Sequence, residues 1–144
     1  MANVRHQARI AAMQALYELD LAEHPVDHTI QRRLDDQPLP SEAAKFMQRL
    51  VANAWQQRAR IDEVIEQAAP TWPIHQMPPV EKAILRLAIC ELLFEKSDPV
   101  PPRAVINEAV ELAKYFGSDR SGSFVNGVLG TVVAQHPSGA EQAS

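Results

Sequence analysis

Residues 101–130 read PPRAVINEAVELAKYFGSDRSGSFVNGVLG. After the two prolines, apolar residues recur at Val105, Ala109, Leu112 and Phe116. Intervals of four, three and four put them on one stripe of a helix. Gly117 follows where a left-handed cap residue commonly ends a helix. Ser118 to Ser123 form a polar turn with several candidate N-caps. Apolar periodicity resumes with Phe124, Val125, Val128, Leu129, Val132 and Val133. The stretch reads as helix, polar elbow, helix. Phe124 stands out as a large aromatic at the rim of a turn rich in hydroxyls and charge.

The eleven prolines punctuate the rest of the chain. A proline inside a helix removes a hydrogen bond and clashes, costing about 3 kcal/mol, so the gaps between prolines should hold the helices. Nothing in those gaps alternates like a strand, and the chain is expected to be all-α. A first helix over 3–22 has Ile10, Met13, Tyr17 and Leu21 as its buried stripe, with Leu16 beside it. Arg5 and Arg9 are four apart and share another face, with His6 next to them. Positive side chains in a first turn oppose the helix dipole, so propensity does not explain them and a surface role does. A second helix spans 27–36 with Ile30 and Leu34 inward. His24 and His28 have metal-ligand spacing, but Pro25 lies between them and no third ligand is near.

A third helix starts with Ser41 as N-cap and is expected to run as far as 69. Residues 70–79, PTWPIHQMPP, form an extended linker that Trp72 and Met77 can plug onto the core. A fourth helix over 80–96 is apolar on nearly all sides and belongs in the middle of a bundle. Arg86 is embedded in it and needs a carboxylate, for which Glu108 or Glu111 is the expected donor of charge. Asn107 and Asn126 are poor helix formers in mid-helix, and hydrogen bonds to a neighbouring loop or cap are expected to compensate them. Residues 135–144 lack periodicity and read as a tail.

Composition narrows the function. Apolar residues make up 46% of 144 residues, enough for one packed domain. The net charge of −4 supplies no broad basic field for nucleic acid. RNA contact would need a local basic patch or a basic partner, because phosphate neutralisation dominates affinity. The single cysteine, Cys90, sits in an apolar run, where it behaves as packing, and fits a reducing compartment. Neither a signal-peptide core nor a membrane-length apolar run is present, so a soluble cytoplasmic protein is expected. Glycine-rich phosphate loops and a nucleophile elbow are absent. The acidic pairs Asp35–Asp36 and Glu108–Glu111 read as surface or paired carboxylates.

AVINEAVELAKYFG followed by SGSFVNGVLG resembles the C-terminal signature of the NusB transcription antitermination family. VEKAILRLAICELL resembles the helix that precedes it, and RHQARIAAMQALYELDL resembles the family's first helix. The resemblance covers about 4–134. It implies one all-α helical domain over 1–134 built of two three-helix lobes, about 3–69 and 80–134, joined by the linker. The implied activity is binding, with no catalysis and no cofactor. Together with NusE, a small-subunit ribosomal protein, the family binds the boxA element of nascent RNA, and the complex joins the RNA polymerase elongation complex.

By position, the resemblance assigns Arg5, His6, Arg9, Arg120, Ser121 and Phe124 to RNA, and Tyr17 and Glu81 to the NusE-facing surface. Arg120 stands where the family often has an acidic residue. Monomer and homodimer both fit the sequence. Two rival readings also start from these residues. NusB-like domains occur at the N-terminus of ribosomal RNA cytosine methyltransferases, and a protein-only adaptor would match the thin basic cluster.

Overall fold

The computed structural model describes residues 2–96 and 99–137. It is all-α, with no strand among the described residues. The helices are α1 (Ala2–Leu21), α2 (Val26–Asp36), α3 (Ser41–Gln56), α4 (Arg58–Ala68), α5 (Pro79–Ile89), α6 (Pro102–Phe116) and α7 (Ser121–Gln135). Gln135 belongs to α7, so the expected tail starts later, and 138–144 lie outside the described residues.

Prolines mark helix starts. Pro25, Pro40, Pro78 and Pro101 each occupy the residue before a helix, with φ between −61° and −55° and ψ between 139° and 153°. A residue there needs no helical donor, and the fixed φ of proline suits the entry. Pro40, rather than Ser41, therefore holds the position before α3.

α1 runs through the centre, packed on α3, α5 and α2. Its buried face is not the expected stripe. Ala8, Ala12, Ala15, Leu16 and Leu19 are buried with Met13, whereas Tyr17 and Leu21 are exposed. The alanines carry no bulk beyond Cβ and let α1 approach two helices closely, which turns the larger Tyr17 and Leu21 outward. α5 is buried along Ala83–Ile89 as expected of a central helix. It continues into a π turn, Cys90–Phe94, in which the Glu95 N–H donates to Cys90 O at 2.8 Å.

The expected third helix breaks at Gln57 (φ −94°, ψ 11°). The Arg58 guanidinium donates to Trp55 O at 2.7 Å and lies 4.2 Å from the Trp55 ring centroid, satisfying a helix-end carbonyl. Beyond the break, α4 packs on α7 and α5. The change of packing partners thus falls at Gln57, ahead of the proline linker. In that linker Met77 is buried, but Trp72 stays 36% exposed.

Arg86 is buried and paired, but with other carboxylates than expected. Its Nε and Nη2 donate to Asp62 at 2.9 and 2.8 Å, and Nη1 donates to Asp20 at 2.9 Å. Lys82 Nζ lies 3.0 Å from Asp20. The cluster joins α1, α4 and α5. Glu108 instead meets His6. Burial pushes the Cys90 thiol up, and the Glu95 and Glu91 carboxylates add to this, so it is packing. Asn107 and Asn126 are exposed, so solvent can satisfy them without a loop or cap.

Candidate nucleic-acid and partner interface

The elbow between α6 and α7 is built around Ser121. Its Oγ accepts the Ser118 N–H at 2.8 Å and donates to Glu81 Oε2 at 3.0 Å. Ser121 is 1% exposed and Glu81 7%. Two assigned contact residues therefore turn out to be internal braces. Ser121 faces the start of α5 rather than RNA, and Glu81 is occupied by Ser121 rather than open to a protein partner. Gly117 also has a different reason from the expected left-handed cap. Its φ is −99°, an ordinary value. A Cβ there would lie 2.4 Å from Ser121 Oγ and 2.6 Å from Ser121 Cβ, so glycine is needed for space.

This bracing leaves Ser118, Asp119, Arg120 and Ser123 exposed around the elbow. Phe124 is half-buried, with its ring centroid 4.7 Å from that of Trp72 and the planes tilted by 58°. It is partly core and partly surface.

The N-terminal half of α1 presents less positive charge than the sequence suggests. Arg9 is 6% exposed, and its Nε and Nη2 both donate to Glu91 at 2.8 Å. Such a fork-to-carboxylate bond inside the fold removes Arg9 from the set available to phosphate. The π turn carries Glu91. The Arg5 guanidinium lies 3.9 Å from the Phe46 ring centroid, with Arg9 and Arg49 at 5.2 and 5.9 Å from the same ring. The shared face of Arg5 and Arg9 is thus real, and it points into the joint with α3. His6 Nδ1 lies 2.9 Å from Glu108 Oε2.

Tyr17 is 37% exposed and borders a groove of about 270 Å³ with Met13, Gln14, Arg33, Val80 and Phe116. A second groove, which also touches Gln14 and Phe116, extends to His6, Ile10 and Tyr115. The α1–α6 cleft therefore runs from the basic end of α1 to Tyr17. His6 meets α6 at Glu108, while the elbow follows Phe116, about 12 Å further along that helix. The assigned RNA residues form two patches rather than one cluster.

Sequence reading missed Tyr115, Trp72 and Arg49 as surface features. Tyr115 is 82% exposed and touches Phe116 edge-on. Its signal was present, since it lies off the Val105–Phe116 stripe. Among the described residues, no group of three or more His, Cys, Asp or Glu side chains is placed to hold a metal ion. His24 pairs with Glu18 at 2.8 Å. No helix among them is long and apolar enough to cross a membrane.

Comparison with known proteins gives this geometry a family. The NusB family model matches residues 6–134. A transcription antitermination protein NusB from Chloroflexus aggregans is 54% identical over 136 residues, covering 94% of this chain and 91% of the relative. One from Roseiflexus castenholzii is also 54% identical, covering 94% and 96%. Among solved structures, T. maritima NusB superposes with a TM-score of 0.86 at 28% identity, covering 96% of this chain and 95% of that one. A crystal structure of antitermination factors NusB and NusE in complex with dsRNA gives a TM-score of 0.83 at 28% identity, covering 94% and 99%. The chain belongs to the NusB family.

Proposed function

We propose that this chain is a transcription antitermination factor. It binds boxA-type single-stranded RNA together with NusE and delivers that RNA to the RNA polymerase elongation complex in the cytoplasm. It works by binding alone, without catalysis or a cofactor. The observation that carries this reading is the braced elbow, in a chain whose relatives are antitermination proteins. The bond between Ser121 and Glu81 holds the elbow, with Arg120 exposed on it and Phe124 at its rim. Arg120 supplies a cation for phosphate. Arg5 and His6 form the second RNA patch, and Tyr17 with the α1–α6 cleft receives NusE. The net charge of −4 makes RNA binding by the chain alone weak, and a basic ribosomal partner adds charge and contact area.

The test is a titration of boxA-containing single-stranded RNA at several salt concentrations, with and without NusE. A duplex of the same sequence serves as comparison, because the solved relative carries double-stranded RNA. NusE should raise affinity for the single strand, and Phe124→Ala should lower it while helical content stays near wild type. Equal affinity with and without NusE, or absence of RNA binding in both, overturns the proposal. The second outcome favours a protein-only adaptor.

A further inference from the structure

We propose that Trp72 and Phe124 together form a two-ring seat for one unstacked nucleobase. This rests on the RNA-binding reading above and adds to it a residue from outside the elbow. Trp72 belongs to the linker between α4 and α5, and Phe124 to α7, so tertiary folding alone brings the rings to 4.7 Å. Large aromatics that serve only as packing are covered in this fold, as Phe46 is at 1% exposure. Trp72 remains more than one-third exposed. Its Nε1 donates to Gln76 O at 3.4 Å, a long bond within its own linker that anchors the indole near the surface.

The surroundings fit a nucleotide better than an apolar side chain. Arg120 lies four residues before Phe124, so it neighbours Phe124 on α7 and can reach a phosphate. Asp119 is the carboxylate beside it. Gly127, three residues after Phe124, lies on the same side of α7, and a Cβ there would meet nothing within 4 Å. An RNA backbone can approach that surface closely. Thr71, His75 and Gln76 are exposed in the linker and carry groups able to hydrogen-bond a base edge. Aromatic faces, base-edge partners and a cation are the features that bind single-stranded RNA.

The test compares wild type, Trp72→Ala, Trp72→Phe and Trp72→Ala/Phe124→Ala. RNA affinity is measured with NusE present, and NusE affinity is measured without RNA. Trp72→Ala should weaken RNA binding by roughly five- to a hundred-fold, the range expected for one stacked base. Trp72→Phe should recover most of it, and NusE affinity should not change. The double variant should lose less than the product of the single losses, because both rings serve one base. RNA should also quench tryptophan emission in wild type, and the quench should vanish in Trp72→Phe.

Wild-type RNA affinity in Trp72→Ala overturns the seat and leaves the proposed function standing. Loss of NusE affinity instead assigns the patch to a protein contact and overturns the seat. If Trp72→Ala does not fold, the emission experiment decides, and a quench that persists in Trp72→Phe overturns the proposal. A wild-type chain that binds no RNA even with NusE overturns both readings together.

Discussion

Ser121 donates to Glu81 across the interface between α7 and α5, and both side chains are buried. The bond fixes where the elbow begins relative to the centre of the fold. Removing the Ser121 hydroxyl leaves a buried carboxylate short of a donor, which costs about 1–3 kcal/mol. Ser121→Ala should lower stability by that amount in urea unfolding. Gly117→Ala should also destabilise, because its methyl group would occupy the space of Ser121 Oγ. In Gly117→Ala/Ser121→Ala the clash with Oγ is absent, so the two losses should not add. Strictly additive losses would show that Gly117 acts independently of Ser121.

Arg9 and Glu91 form a buried ion pair that links α1 to the π turn. Breaking such a pair strands a charge, whereas replacing both members with apolar residues of similar volume is often tolerated. Arg9→Ala and Glu91→Ala should each cost about 3–5 kcal/mol. Arg9→Met/Glu91→Leu should recover most of that loss. If instead Arg9→Ala leaves the unfolding midpoint unchanged and weakens RNA binding, Arg9 belongs to the RNA surface after all.

Asp20 governs part of the response to acid. Burial is the largest influence on it and pushes its carboxyl up, but hydrogen bonds from Lys82 and Arg86, with their charges, outweigh burial and hold it below the ordinary value. A carboxyl with a lower folded-state value binds fewer protons when folded than when unfolded. Its contribution is therefore complete above the unfolded value, about 3.9, and is lost as pH falls through the folded value. Asp20→Asn should destabilise at neutral pH and flatten the fall of the melting temperature below about pH 4. Glu18 is shifted in the same direction by His24, Arg32 and Arg33 against burial, so some acid dependence should remain. An unchanged acid limb in Asp20→Asn would remove Asp20 from this role.

The helices were legible because proline and apolar spacing act locally. Val105, Ala109 and Leu112 are buried as their periodicity requires, and the prolines bracket the helices. The break at Gln57 was harder to read, because no proline or glycine marks it. Asn53 Nδ2 donates to Phe94 O at 2.9 Å just before the break, from one helix to the π turn of another. Such a contact exists only after tertiary folding. The stripe of α1 was misplaced for a related reason. Counting large apolar residues gives weight to Tyr17 and Leu21, whereas close packing of three helices favours alanine.

Charge was the least legible property. Arg5, Arg9 and Glu81 look alike as exposed charges when only their spacing is known. Their environments differ because the partners Phe46, Glu91 and Ser121 are remote in sequence. Phe124 kept its mixed character, and Trp72 gained significance only when the linker placed it beside that ring.

The π turn at Cys90–Phe94 has a further meaning as a length. A turn closed from Glu95 to Cys90 holds one more residue than an α-helical turn. Deleting a residue there would let the chain continue as a regular helix, so the deletion need not break it. It would, however, advance everything beyond by about 100° and swing Glu95 away from Arg49, which it now faces at 3.7 Å. Here the spelling of the chain can change more freely than its count: substitutions conserve phase, and a single-residue indel does not.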